Sequence, residues 1–308
     1  MGATGGPTTG DAGTTGDSGT TAYTAPPHGV AGTGRPAPIA YTLALAAVMV
    51  TAAVYGLFVD GAYSAPEGVR PTLPETLRGQ DVVNLLAAAA LIWGGVRAHA
   101  GRLLGHVVWL AVCLYISYTY LMYVVAPYND ALLLYIAGIG LGGYGFVHGL
   151  VRLDARAVEE AFRRLPRRGL AWFLIGLAAL FATMWLVSIV SVWPGGIPDD
   201  LFTYDIPSIV HVLDLGIVLP LLAVTGVMLL RGHPVAPVLA AIVLVKTLTI
   251  GLALLSMNAF IAASSGLADP SEPVIWMLVI VVSLAWLGFV VRRMREPDRA
   301  WLRASMWS

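Results

Sequence analysis

Eight apolar runs recur along the chain, at about 39–59, 76–96, 103–125, 131–151, 170–193, 208–230, 235–257 and 273–291. Each is long enough to cross the roughly 30 Å of hydrocarbon in a bilayer, which takes ~20 helical residues. Backbone N–H and C=O groups have no water to bond with in lipid, so such a run must satisfy them internally as a helix. Barrel strands would be shorter and would alternate in polarity. The expected fold class is therefore all-α: a polytopic membrane helix bundle of about eight transmembrane helices. Only 12% of the residues are charged, about half the share in soluble domains.

The seventeen arginines set the expected orientation. With the N-terminus in the cytoplasm, fifteen of them lie inside and only Arg70 and Arg78 outside, which agrees with the positive-inside rule and with an even number of spans. The outer loops are acidic instead, with Asp60, Glu67, Glu75, Asp130, Asp199, Asp200, Asp205, Asp269 and Glu272. The expected setting is the plasma membrane, with both termini cytoplasmic. The Ala, Val, Gly and Arg usage suggests a GC-rich bacterial genome.

Residues 1–37 are Thr, Gly, Ser and Pro with little apolar content and are expected to be a disordered cytoplasmic tail. The run that follows is too long for a signal-peptide core and lies behind that tail, so it is read as a retained helix. Residues 38–151 and 169–292 form two four-helix halves, joined by a basic cytoplasmic linker at 152–168 and followed by a cytoplasmic tail at 293–308. The linker is expected to carry a short surface helix ending near Pro166. The halves align: "LPETLRGQD" (73–81) matches "IPSIVHVLD" (206–214), pairing Pro74 with Pro207 and Asp81 with Asp214, and "RAH" (97–99) answers "RGH" (231–233). This is the pattern of a parallel 4+4 internal repeat. Each proline suits a first helical turn. Each aspartate then lies ~10 Å farther down the helix axis.

Lys246 is the only lysine, and it sits in the middle of the seventh run. It lies ~16 Å above the cytoplasmic end of its helix, near the bilayer centre. A charge there costs at least ~2.5–3.5 kcal/mol on insertion scales. Asp214, on the neighbouring antiparallel helix, is the expected partner in an ion pair. The pair is either a structural pin or the core of a ligand or ion pathway. Asn84, one turn from Asp81, and His211, one turn from Asp214, extend that pathway, His211 as a proton carrier near neutral pH. Tyr115 and Tyr118 lie deep in the third run and need hydrogen-bond partners, which a polar cavity would supply. The tyrosines nearer its outer end, Tyr120, Tyr123 and Tyr128, with Tyr135, fit an interfacial belt. Pro220 frees a carbonyl near Gly216 and bends the sixth helix. Gly138, Gly142, Gly145 and Gly149 give the fourth helix a face for close packing.

Other chemistries find less support. Zero net charge offers no basis for a nucleic-acid partner, and one cysteine, Cys113, excludes an intrachain disulfide or a thiolate metal cluster. His106 and His148 lie at similar depth on adjacent helices and are the one candidate pair of axial ligands for a heme b; no other cofactor is expected. The favoured reading is a protein that binds or transports a small solute or ion through an outward-facing polar cavity built on Asp214, Lys246 and Asp81. A lysine there favours an anionic or zwitterionic ligand. The alternatives are a non-catalytic subunit or scaffold whose Asp–Lys pair is structural, with a membrane-protein partner or a second copy, and a heme-binding or other membrane enzyme.

Overall fold

A computed structural model of the chain describes residues 2, 39–64, 67, 71–196, 209–266 and 272–297. The N-terminal tail, Pro207, the outer acidic residues Asp199, Asp200, Asp205 and Asp269, and the end of the C-terminal tail lie outside the described residues. Among the described residues, eight helices are long and apolar enough to cross a membrane. The fold is a polytopic helix bundle.

The elements are α1 (Ile39–Phe58), α2 (Leu73–His99), α3 (Leu103–Tyr123), α4 (Leu132–Val151), a short α5 (Ala155–Ala161) and α6 (Arg167–Ser191). The sixth span is interrupted: α7 (Ile209–Leu213) passes into a π-helical turn (Asp214–Val218) and then α8 (Leu219–Leu230). The last spans are α9 (Ala236–Ser265) and α10 (Glu272–Arg293). Pro74 and Pro237 stand at the second position of α2 and α9, where a missing N–H is harmless. The turns after α2 and α8 use Gly101 (φ 78°) and Gly232 (φ 72°), left-handed conformations that favour glycine. These tight turns fold α3 back on α2 and α9 back on α8.

The centre is made by α2, α3 and α9, which pack on one another. The most apolar stretch of α3 is 72% buried within the bundle, against 11% for α6 and 22% for α10, so the last two form the rim. The glycine face of α4 packs as expected: Gly138, Gly142, Gly145 and Gly149 are buried, and a Cβ on Gly142 would lie 2.7 Å from the Cys113 carbonyl on α3. An equally close approach, absent from the sequence reading, joins α2 to α9, where a Cβ on Gly79 would lie 2.6 Å from the Cα of Met257.

At the arginine-rich ends, the linker helix α5 departs from the expected surface position and turns one face into the protein. Ala157, Val158 and Ala161 are buried, with Phe162 and Leu165 beyond them, while Arg163 and Arg164 point outward. Its apolar stripe requires cover. After α10 the chain passes below it, where the Arg295 N–H donates to the Ala161 carbonyl at 2.9 Å. Glu296 then accepts from the first free N–H groups of α3, Leu103 at 2.7 Å and Leu104 at 3.5 Å.

Candidate functional site

A cavity of about 440 Å³ lies among α2, α3, α6, the interrupted sixth span, α9 and α10. Its lining comes from the start of α2, the second half of α3, the second half of α6, the start of the sixth span, α9 from Lys246 onward and the start of α10. All of these lie away from the arginine-rich ends. The walls are mostly apolar and aromatic, with Phe181, Trp185, Met257 and Trp276 among them. Phe181 of α6 and Trp276 of α10 stack nearly parallel, centroids 6.1 Å apart.

Lys246 and Asp214 both line this cavity, but they do not form the direct ion pair expected from the sequence. Tyr118 stands between them. The Lys246 ammonium lies 3.3 Å from the centre of the Tyr118 ring and 5.5 Å from that of Tyr115. The Tyr118 hydroxyl donates to Asp214 Oδ1 at 2.7 Å, and Trp185 Nε1 donates to Oδ2 at 3.1 Å. Tyr115 and Tyr118 are three residues apart on α3, so both rings turn to one face, toward α9. A ring face attracts a cation through its quadrupole, so the positive charge is held by two phenol faces. Among the described residues, no hydrogen bond or ion pair reaches Nζ, and the influence of Asp214 on it is through space.

The sixth span supports Asp214 by a local irregularity. Pro220 cannot donate to the Gly216 carbonyl, and the helix widens just before it: the Leu219 N–H bonds to the Asp214 carbonyl, five residues back. Such π-turns are frequent at functional sites. Asp214, Val218 and Leu222 then line the cavity, while Gly216 and Ile217 are exposed on the outside of the bundle.

Asp81 occupies a different setting. It is fully buried and does not line the cavity. Its Oδ2 accepts from the Tyr63 hydroxyl at 2.6 Å, and its Oδ1 from the Tyr123 hydroxyl at 2.9 Å and Asn84 Nδ2 at 3.3 Å. A hydrogen-bond chain links this site to the cavity wall. Tyr115 donates to Asn84 Oδ1 at 2.7 Å, and Gln80 Nε2 to the Tyr115 hydroxyl at 2.5 Å. Gln80 and Tyr115 both line the cavity. Lys246 thus sits between two phenols, one bonded to Asp214 and the other leading through Asn84 to Asp81.

The remaining sequence candidates are more scattered. His211 is buried behind Asp214, edge-on to the Trp185 ring with centroids 4.6 Å apart, and is not part of the cavity lining. His106 and His148 have different partners. His106 is buried, stacked on Trp109, with Nε2 3.1 Å from the Gly149 carbonyl; His148 is exposed, with Nε2 3.2 Å from Arg152. Their depths match, but their helices turn them to different surroundings. Among the described residues, no group of three or more His, Cys, Asp or Glu is placed to hold a metal ion. The interfacial belt is corrected for Tyr120, Tyr123 and Tyr135, which are buried and pack together with centroids 5.0–5.7 Å apart; Tyr128 is exposed.

Sequence reasoning missed Gln80, Tyr63 and Trp185. Gln80 adjoins Asp81 and lies one turn from Asn84, a run of amides and acid that marks one helical segment as polar. Tyr63 reaches Asp81 from the loop after α1, and Trp185 resembles any aromatic near a helix end, so neither carried a local signal.

No known family model, curated protein or solved structure matches the chain.

Proposed function

We propose that this is a membrane protein that binds or moves a small solute or ion through the cavity between α2, α3, α6 and α9. In this reading the arginine-rich ends face the cytoplasm and the cavity opens on the outside of a plasma membrane. The observation that carries it is the position of Lys246: a charged side chain at mid-membrane depth, 2% exposed, on the wall of a cavity and held by aromatic faces, with no carboxylate in contact. A structural pin would place the two charges in direct contact and fill the space around them, because an isolated buried charge is strongly unfavourable. Intramembrane charges of this kind usually mark a pathway or site.

Thiol accessibility tests the reading. Cys113 is fully buried in the core, so Cys113→Ala provides a cysteine-free background. Thr249→Cys reports on the cavity wall and Ile217→Cys on the exposed outer side of the sixth span. An impermeant thiol reagent applied to intact cells is expected to label Thr249→Cys rapidly and Ile217→Cys slowly, since the latter faces lipid. Protection of Thr249→Cys from both sides of the membrane would overturn the reading and leave Lys246 as a structural pin between packed helices.

A further inference from the structure

We propose that the cavity takes a zwitterion: an α-amino acid with a large apolar side chain, its carboxylate on Lys246 and its ammonium on Asp214. This rests on the reading of the cavity as a solvent-accessible site.

Lys246 and Asp214 both have hydrogen-bonding capacity left over. The Lys246 ammonium carries three donors, and the described residues offer it only ring faces. A cation this deeply buried on a cavity wall calls for an anionic acceptor to complete it. Asp214 has one donor on each oxygen, from Tyr118 and from Trp185, so each oxygen retains acceptor capacity. One group on the wall lacks an acceptor, and another, across a single phenol, can take a further donor.

The two charges are also spaced for such a ligand. The acceptor of a phenol lies near the ring plane, bent by about 60° off the line from ring centre to hydroxyl oxygen, and Nζ stands over the ring centre, so Nζ and Asp214 Oδ1 are on the order of 6 Å apart. The carboxylate and ammonium of an α-amino acid are roughly 3 Å apart, and a hydrogen bond of ~2.8 Å at each end spans the gap when each is set at about 120° to the line between the two charged groups. A direct ion pair would have closed the site. Tyr118 holds it open at the separation of two charges on one small molecule.

Charge balance and the chemistry of the wall favour the same ligand. A simple anion at Lys246 would meet the like charge of Asp214 on the same wall, and a simple cation at Asp214 would meet Lys246. A zwitterion satisfies both. Asp81 does not alter the balance at the wall, since it is buried behind Asn84 and Tyr115 and already accepts three hydrogen bonds. Beyond the charged pair the lining includes Phe181, Trp185, Met257, Ile261 and Trp276, with Thr76, Thr119 and Asn258 among its fewer polar groups. That surface suits an aliphatic or aromatic side chain, and 440 Å³ lies within the usual range for small-molecule sites.

The test uses the purified full-length protein in detergent and tritiated L-phenylalanine, with competition by L-phenylalanine methyl ester, N-acetyl-L-phenylalanine and L-aspartate. The free amino acid is expected to bind at least tenfold more tightly than each competitor, which lacks respectively the anion, the cation or the apolar side chain. In Lys246→Met the penalty on the methyl ester is expected to vanish while that on the N-acetyl compound remains; Asp214→Asn is expected to give the reverse. Gel filtration and thermal melting establish that both variants are folded. Equal binding of the N-acetyl compound, or of the methyl ester, by the unaltered protein would replace the zwitterion by a simple anion or cation and overturn the proposal. Absence of binding by L-phenylalanine, L-leucine and L-tryptophan, with Thr249→Cys still labelled, would overturn it and leave the accessible cavity standing. Absence of both binding and labelling would remove the underlying reading as well.

Discussion

Asp81 and Asp214 begin from similar sequence contexts, each seven residues after a proline near the start of a span, yet they lie in unlike surroundings. Around Asp81 the protein closes completely: Tyr63 from a loop, Tyr123 from α3 and Asn84 from its own helix supply three donors, and Gly56 of α1 packs against the carboxylate. Around Asp214 only two donors arrive, and a cavity takes the place of further protein. Part of the difference comes from the neighbouring helices. The first helix of the chain lies along α2 and also reaches α4, sealing the Asp81 side, whereas α6 lies along α8 at the rim and meets α10 through aromatic pairs. One carboxylate is consumed in holding helices together; the other is left with capacity to spare.

The sharpest way to break this comparison is to remove each carboxylate in turn. Asp81→Leu removes the acceptor that three buried donors share; the Tyr123 hydroxyl can turn to the Leu77 carbonyl at 3.1 Å, and the donors left unsatisfied cost ~1–3 kcal/mol each. The expected loss is on the order of 3 kcal/mol or more, seen as a large fall in melting temperature or in folded yield. Asp214→Leu strips Tyr118 and Trp185 of their acceptor beside a cavity where water can replace it, and a loss of about 1 kcal/mol is expected. Equal losses would mean that both carboxylates are structural.

Next in size is the close approach that joins the two sites. A Cβ on Gly79 would fall 2.6 Å from the Cα and 2.7 Å from the N of Met257, backbone atoms that have no rotamer to change. Gly79→Leu is therefore expected to force α2 and α9 apart at a cost of ~1–3 kcal/mol and to alter thiol labelling at Thr249→Cys. Gly140, with nothing within 4 Å of its Cβ position, is the control. Gly140→Ala is expected to leave labelling unchanged and to raise stability slightly, by up to ~1 kcal/mol from helix propensity.

The contrast between the two aspartates also explains what the sequence disclosed and what it withheld. The eight spans were legible because lipid demands long apolar helices, and their observed limits differ from expectation where local chemistry intervenes. Helix α2 starts at Leu73 because Pro74 suits the first turn, and α9 runs on to Ser265 through apolar residues beyond the length needed to cross. Lys246, Asp214, Asp81 and Asn84 stood out because polar groups in such runs are expensive. The partners were harder to read. That Tyr118 separates Lys246 from Asp214 depends on the rotation of α3 against α9, and that rotation is set by packing across spans far apart in sequence. The tyrosines of α3 looked interfacial for the same reason: depth can be counted along a helix, but the direction in which a side chain points depends on its neighbours.

Tyr118 sharpens the comparison at the scale of one side chain. Tyr118→Phe keeps the ring under the ammonium and removes the hydrogen bond to Asp214, an expected loss of ~0.5–1.5 kcal/mol. Tyr118→Leu also removes the aromatic face, adding ~0.5–2 kcal/mol. The order wild type, Phe, Leu in melting temperature is the expected result. Indistinguishable Phe and Leu variants would show that the ring does not hold the charge.

The smallest expected effect tests whether Asp214 is positioned from the α6 side. Trp185 reaches Asp214 from the rim helix and also packs edge-on against His211. Trp185→Phe retains an aromatic ring for that packing but deletes the indole N–H together with the five-membered part of the ring; its hydrogen bond to a carboxylate beside a cavity, where water can replace it, is worth about 1 kcal/mol. Stability is expected to change little, because α6 contributes few buried residues to the bundle. Competition is the more revealing measurement. Freed from Trp185, Asp214 keeps only the donor from Tyr118 and can turn within the cavity, so the preference for L-phenylalanine over its N-acetyl form is expected to weaken several-fold. The preference over the methyl ester, which depends on Lys246, is expected to hold. A weakening of both by the same factor would mean that the indole shapes the cavity as a whole, and that the rim helix acts on the site through packing alone.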